Sequence, residues 1–484
     1  MTRRPSTNDF ATVPASIGPA AGEPLAGWRR WVFSQDQRRP GLALGALVGL
    51  ALALRIGLTL VGPEHRPVLD GVDYDGLARS LLAGHGYDFG THVTAFRPPG
   101  YAFFVAGVYG LTGGAPANPA HAADTVQLAQ ALLGALDVAL LAAIARPIWG
   151  RRTALAAAGL GALYLPFVEL GDSFVADALA LPLLLAAVAC VLRACPRSRC
   201  PAPTRDDEQS ATLAPNLRWA AAAGLSLGLL TLTRPNAALV GVPLALALWR
   251  PRAAGRRRRL KAPVVMLVLA AAVLTPWTVR NAIALHAFVP LSTDAGETLA
   301  GTYNDVSRHA RVDPAGWRIP RRIPPYAAVF AVQDRMTEAD RDGRLTTLAL
   351  DYATRHPTYV AEVVGYNAVR MFELAGRRRS RFTAATIGID AAMADAAVVG
   401  FWLVAVLAVV GCCCAAARRA PRWLWACPAL VLAATLPMTM ETPRFRAEVD
   451  PFILLLAAVA LTSGPRRWRP GRGPGRWRPA RAPR

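Results

Sequence analysis

The stretch LDGVDYDGLARSLLAGHGYDFGTHVTAFRPPGYAFF, residues 69–104, decides the reading of this chain. It follows directly on the first long apolar run, residues 41–62. Three carboxylates, Asp70, Asp73 and Asp75, therefore stand where the chain leaves a bilayer. An amphipathic helical pattern comes next, then Gly86-Tyr87, then Arg97-Pro98-Pro99-Gly100-Tyr101. A soluble enzyme has no reason to hold acidic groups against a membrane exit. A membrane enzyme acting on a lipid-linked phosphate does.

Composition supports the membrane setting. Of 484 residues, 53% are hydrophobic, and several apolar runs are long enough to cross a hydrocarbon core of about 30 Å. The net charge of +22 would suggest nucleic acid in a soluble protein. Here the arginines fall between apolar runs and at both termini, the positive-inside pattern of a polytopic membrane protein, so no nucleic-acid partner is expected. About ten spans follow, near 41–62, 126–148, 153–168, 173–192, 219–232, 237–249, 262–279, 396–417, 423–438 and 447–461. The fold class is an all-α polytopic bundle with two large extracytoplasmic loops.

Orientation comes from the arginines. With the N-terminus inside, Arg151-Arg152, the 193–218 loop, the 250–261 loop and Arg418–Arg422 all fall inside. This requires that 99–114, short, Gly-rich and preceded by Pro-Pro, lies in the outer interface rather than crossing. The expected organisation is a cytoplasmic tail over 1–40, a transmembrane module over 41–280 with a first outer loop at 63–125, a large outer helical segment over 281–395, C-terminal spans over 396–463, and a basic cytoplasmic tail over 464–484. Within 281–395, helices are expected at 325–336, 346–356 and 359–374. Arg377–Arg379 and Arg381 fall outside on this topology, which long loops tolerate; they suit phosphate headgroups or plain solvent.

The cysteines give no disulfide framework. Cys190, Cys195, Cys200 and Cys412–Cys414 fall at inner ends, and Cys427 inside a span. His65, His85 and His121 have no tight ligand spacing, so surface roles suit them better than metal.

The unusual polar residues collect at one side of the bundle: Asp70, Asp73 and Asp75; Glu169, Asp172 and Asp177; Arg234 and Asn236; Arg280 and Asn281; then Glu441, Arg444, Arg446, Glu448 and Asp450. Ionisable groups at membrane depth are costly and face a cavity or a partner. Five turns converging in this way describe a polar cavity open outward. Such a cavity suits sugar transfer: a carboxylate takes the acceptor's proton, arginines hold the leaving phosphate, and a second carboxylate stabilises positive character at the anomeric carbon.

The pattern D-x-x-D-Y-x-x-L-A-x-x-L-x-x-G-x-G-Y from Asp70, followed by R-P-P-G-Y from Arg97, resembles the first outer loop of bacterial GT-C membrane glycosyltransferases. These are relatives of the protein O-mannosyltransferases and the lipid A aminoarabinose transferase, glycosyltransferase family 39-like. LTRPN at 232–236, PWTVRNAIALHAFVPLST at 276–293, RHPTYV at 355–360 and ETPRFRAEVDP at 441–451 extend the resemblance in consistent order. It implies a GT-C-like bundle, a polyprenyl-phosphate sugar donor, hexosyl or pentosyl transfer with inversion, and action on the outer face of the cytoplasmic membrane. The acceptor, a glycan, lipid or protein, is not named by it.

By the same resemblance, Asp70 is the catalytic carboxylate. Family members carry Glu after this Asp where this chain has Gly71, so Asp73 is a candidate to share the role. Asp177 maps to the acidic position of the second turn. Tyr74, Arg97, Arg234, Arg280, Asn281, Arg444 and Arg446 are the candidate substrate-binding residues. No protein metal ligand set is assigned, and a divalent ion remains compatible with the chemistry. The competing readings are an N-cap or loop role for Asp70, a solvated Asp73, an Asp177 that only neutralises an arginine, snorkelling roles for Arg234 and Arg280, and a bundle contact for Arg55 inside the first span. At the level of the whole protein, the alternatives are a transporter or flippase with an outward polar cavity, and an inactive GT-C scaffold.

Overall fold

The apolar runs become helices that stand side by side, and the polar turns between them gather at the ends. The computed structural model describes residues 41–62, 66–90, 92–195, 216–249, 256–438 and 443–463. Both terminal tails, Cys200, His65 and Glu441 lie outside the described residues.

The first half contains α1 (Leu42–Val61), α2 (Asp70–Leu82), α3 (Pro99–Leu111), α4 (Pro119–Trp149), α5 (Arg151–Leu163), α6 (Leu165–Asp172), α7 (Asp177–Ala194), α8 (Leu217–Thr233), α9 (Gly241–Leu248, after a 3₁₀ turn at Pro235–Val240) and α10 (Arg256–Ala284). The segment expected to lie outside folds as α11 (Ala295–Thr302), α12 (Asp305–Arg308), α13 (Tyr326–Ala331), α14 (Glu338–Arg355), α15 (Pro357–Met371) and α16 (Arg377–Ala385). The chain returns through α17 (Ala391–Cys413), α18 (Arg422–Thr435) and α19 (Asp450–Thr462). Among the described residues there is no strand, only one isolated bridge between Asp88 and Val93. The all-α polytopic fold expected from the sequence is the fold observed.

Among the described residues, five helices are long and apolar enough to cross a membrane: α1, α4, α7, α10 from Arg259, and α17. The pair α5 and α6, bent by 51°, passes the same test only when taken together, as a broken span or a re-entrant loop does. The sequence pattern reads 153–168 as one span, but Tyr164 adopts an extended conformation and Pro166 restarts the helix. Four further apolar helices are shorter, α3, α8, α19 and the 235–248 segment. At about 1.5 Å per residue, each falls short of a full hydrocarbon thickness when upright. The apolar surfaces of α1 and α17 are largely exposed, as in Leu60, Leu403, Val409 and Val410, which suits lipid-facing helices.

Small residues let the spans approach. On α8, Gly224 and Gly228 lie one turn apart against α10. A Cβ at Gly224 would stand 2.3 Å from the Met266 carbonyl oxygen, and one at Gly228 would stand 2.7 Å from the Val273 Cβ. This is the small-xxx-small device of membrane helix pairs. Arg55 of α1 lies across Gly134 of α4, whose added Cβ would meet Arg55 Nε at 2.3 Å. It is the bundle contact that one sequence reading gave it.

The outer segment has its own core of Leu299, Tyr303, Tyr326, Phe330, Leu345 and Tyr359. Its α14 begins eight residues before the predicted 346, because Thr337 and Asp340 form a capping box. Glu338 in the first turn of α14 clasps the two outer loops together. It accepts hydrogen bonds from Thr94 Oγ1 at 2.6 Å and the Ala95 amide at 2.9 Å, and from the Thr293 hydroxyl. The segment 66–98 and the helical segment 295–385 therefore hold each other in place over one end of the bundle.

Candidate active site

Asp70 and Asp73 open α2, one turn apart and so on one face. Leu69 before them has φ +44°, in the left-handed region unfavourable for a branched side chain, so the chain enters this helix under backbone strain. Arg97, from the turn before α3, reaches back across that face. Its Nη2 lies 2.7 Å from Asp70 Oδ1, and its Nε donates to Asp73 Oδ2 at 2.9 Å. The second oxygen of Asp70 takes Arg444, from the 3₁₀ turn Pro443–Arg446 near the end of the chain. Burial alone would raise the Asp70 carboxyl, but the Arg444 and Arg97 guanidiniums outweigh it and hold the group well below the usual carboxylate range.

Gly71 sits in close contact with a neighbouring segment. A Cβ there would lie 3.1 Å from the Phe174 carbonyl oxygen and 3.3 Å from the Phe174 Cβ. The helix therefore packs directly on the segment leading into α7.

That segment brings the second set of charges. Asp177, 1% exposed in the first turn of α7, lies 2.9 Å from Arg234 Nη2. Arg234 Nε donates to Glu448 Oε1 at 3.1 Å, and Glu448 is fully buried. Two carboxylates thus share one guanidinium. Burial raises Glu448 and the neighbouring Arg234 opposes the rise. Phe445 joins the two sets: the Arg234 and Arg444 guanidiniums stand 4.6 and 4.9 Å from its ring centroid.

Of the residues expected from the sequence, Asp70, Asp73, Asp177, Arg97, Arg234 and Arg444 meet at one end of the bundle. Tyr74 is buried behind them, edge-on to Tyr101 at 4.9 Å. Arg280 and Asn281 lie apart from this cluster. Arg280 donates to the carbonyl oxygens of Thr94 at 2.7 Å and Tyr87 at 2.8 Å, and Asn281 donates to that of Val289 at 3.0 Å. Their contacts shape the outer loops. Arg446 is fully buried, bonded to Asp450 at 2.8 Å and to the Met371 carbonyl. With Arg444, Glu169 and Glu373 it lines an adjoining cleft. Asp75 turns the other way, to Arg79 at 2.8 Å and the Tyr109 hydroxyl at 2.6 Å.

Three participants escape the motif reading. Glu448 stands among the polar turn residues with no role of its own in the sequence reading, and Phe445 lies unremarked inside the last motif. Asp294 is one residue past the quoted 276–293 stretch. It takes a hydrogen bond from Ser292 at 2.7 Å, and burial raises its carboxyl against the pull of Arg97. No group of three or more His, Cys, Asp or Glu side chains among the described residues is arranged to hold a metal ion. Guanidinium groups bond both Asp70 oxygens and Asp73 Oδ2, so these carboxylates do not offer a metal cradle. Arg377 and Arg381 pair with Asp395, and Arg379 with Asp313 at 2.8 Å.

Residues 97–202 match the family model described as dolichyl-phosphate-mannose-protein mannosyltransferase. The match begins at the arginine that bonds Asp70 and Asp73, and the resemblance to GT-C membrane glycosyltransferases holds over that region. No curated protein sequence matches the chain. Among solved structures, the oligosaccharyltransferase AglB from Archaeoglobus fulgidus, in complex with an inhibitory peptide and a dolichol-phosphate, is similar at 14% identity and a TM-score of 0.47, over 90% of this chain and 50% of that one. The apo form of the Archaeoglobus fulgidus oligosaccharyltransferase gives 13% and 0.48, over 88% and 51%. ArnT from Cupriavidus metallidurans bound to undecaprenyl phosphate gives 17% and 0.36, over 90% and 78%. The chain spans about half the length of the oligosaccharyltransferases it matches.

Proposed function

We propose that this chain is an integral membrane glycosyltransferase. It moves a hexosyl or pentosyl group from a polyprenyl-phosphate donor to a lipid, glycan or protein acceptor on the outer face of the cytoplasmic membrane. The observation that carries the reading is the ion-paired cluster at the start of α2: Asp70 held between Arg97 and Arg444, with Asp73 on the same arginine. The organisation of the proposal is that of the sequence: tails 1–40 and 464–484 inside, a transmembrane module 41–280, an outer segment 281–395 and closing spans 396–463.

In this reading the acceptor hydroxyl attacks the anomeric carbon, its new C–O bond forming as the bond to the donor phosphate breaks. Asp70 takes the hydroxyl proton, and the polyprenyl phosphate leaves with its negative charge on Arg444 and Arg97. The resting ion pairs serve the same end. A carboxylate between two guanidiniums is a weak base. A bound donor phosphate offers those guanidiniums a second anion, and as they turn to it Asp70 gains basicity. Asp73 keeps Arg97 anchored during that exchange. Asp177 and Glu448 fix Arg234, which carries positive charge toward Asp70.

The test is transfer of labelled sugar from a panel of polyprenyl-phosphate sugars to membrane acceptors, using purified protein and Asp70→Asn. Turnover by wild type that is lost in a folded variant supports the reading. Equal turnover by both removes Asp70 from the chemistry. Absence of turnover with every donor in the panel counts against the transferase.

A further inference from the structure

A second cavity lies at the other end of the bundle. It is framed by the start of α1, the end of α4, the start of α5 and the end of α7, and encloses about 1520 Å³ with its mouth included. Asp177 and Arg193 are the opposite ends of α7, sixteen residues apart, roughly 24 Å at helical rise. The cavity is thus separate from the cluster around Asp70.

Its lining has two kinds of residue. Arg146, Arg151 and Arg193 supply three guanidiniums, and no carboxylate lines it among the described residues. Leu44, Ala139 and Ala143 are among the aliphatic residues of its wall. Arg146 and Arg193 stand in the last turns of α4 and α7, where a cation suits the helix dipole. Arg151 stands in the first turn of α5, where it does not. There its charge adds to the positive end of that helix, and the first amides of α5 lack helical acceptors. The three guanidiniums border one space, and an anion there would meet all of them at once. The alanine and leucine wall at membrane depth adds the second requirement, an apolar tail.

We propose that this cavity binds the phosphate headgroup and proximal acyl chain of an anionic phospholipid, in the leaflet opposite the candidate active site. Basic pockets between transmembrane helices take such headgroups by charge, with the chain against apolar wall. The inference needs only the membrane setting of the bundle and stands apart from the transferase reading. Charge bias for topology explains arginines at this end in general. It does not explain a cavity shaped between three of them.

The experiment uses the full chain purified in neutral detergent and titrated with dioleoyl phosphatidylglycerol, bound lipid being counted by native mass spectrometry. Wild type is expected to take up one lipid saturably. The double variant Arg146→Gln, Arg193→Gln is expected to weaken that binding by about tenfold or more. Ala143→Phe, which keeps every charge and narrows the apolar wall, is expected to weaken it as well. Arg418→Gln with Arg419→Gln removes two exposed arginines at the same end and outside the cavity, and is expected to bind as wild type does. Equal binding by wild type, the cavity double variant and Ala143→Phe overturns the proposal. So does an equal loss in the Arg418, Arg419 control. Displacement of the lipid by inorganic phosphate overturns it too, since it would mark a site for the free anion.

Discussion

Asp70 and Arg444 stand 374 positions apart and form one ion pair, which ties the start of α2 to the turn between α18 and α19. Arg97 completes the clasp from the same loop as Asp70. The site is therefore assembled only when the two ends of the bundle's connectivity meet. If Asp70 is the base, Asp70→Asn should lower turnover by about 10²- to 10⁴-fold. Asp73→Asn should do less, because Arg97 keeps Asp70. Steady-state transfer rates on variants with an unchanged melting temperature decide this. A Asp73→Asn loss as deep as that of Asp70→Asn would move the base to Asp73.

The charge balance at Asp70 also predicts a pH dependence. Burial raises this carboxyl, and Arg444 and Arg97 more than reverse the effect, so its folded value lies below its unfolded one. A group depressed in this way contributes stability above its unfolded pKa and loses it as pH falls through the ordinary carboxylate range and below. Arg444→Gln removes the stronger of the two depressing partners. Its acid limb of activity should then shift to higher pH, and its melting temperature, lower than wild type at neutral pH, should fall less on acidification, so that the gap between the two narrows as pH drops through the carboxylate range. A pH–rate profile and an acid titration of the melting temperature measure both. Unmoved limbs would separate Arg444 from the titration of Asp70.

Phe445 carries two guanidiniums on one ring, those of Arg234 and Arg444. Each such contact contributes about 0.5–2 kcal/mol. Phe445→Leu keeps an apolar side chain of somewhat smaller volume and removes the quadrupole. Turnover should fall by roughly tenfold with little change in fold, if the ring sets the separation of the two arginines. A fall in melting temperature with turnover unchanged would make the ring a packing residue only.

Glu338 holds three donors from two loops, Thr94, Ala95 and Thr293. Glu338→Gln keeps the shape but weakens charge-assisted bonds, and should cost about 1–2 kcal/mol given its partial exposure. The first outer loop should loosen with it. Hydrogen exchange at residues 92–96 is the direct readout, and it should rise in the variant while α4 stays protected.

Much of this architecture was legible in the sequence, because spans announce themselves by length and apolarity alone. The runs near 41–62, 126–148, 173–192 and 396–417 correspond to α1, α4, α7 and α17, with ends that differ by up to seven residues, the most at the start of α4. The break at Tyr164 was not legible, since apolarity is continuous through it and only Pro166 marks the restart. At the site, carboxylates and arginines near outer turns were visible as types. Their partners were not. Arg280 and Arg444 look equivalent in sequence, each an arginine beside a span end. One bonds loop carbonyls and the other bonds Asp70, a difference set by tertiary contacts between segments far apart in the chain. Glu448 was visible as an acid, but its burial beside Arg234 depended on how α8 and α19 pack.

Gly71 gives the sharpest steric test of how α2 is seated. A Cβ at this position would come within 3.1 Å of the Phe174 carbonyl oxygen, closer than ordinary contact, with backbone as the obstacle. Phe174 lies three residues before Asp177, so any shift that relieves the contact moves α2 relative to the second set of charges. Gly71→Ala should gain some helix propensity, up to about 1 kcal/mol. Overpacking should outweigh this gain, at about 1–3 kcal/mol. The variant is therefore expected to melt lower than wild type and to lose turnover, and Gly71→Glu should be worse on both counts. Paired thermal melts and transfer rates test this. A Gly71→Ala protein that is more stable and fully active would show that α2 can move off Phe174 without disturbing Asp70, and that the close seating is not what aligns the carboxylates.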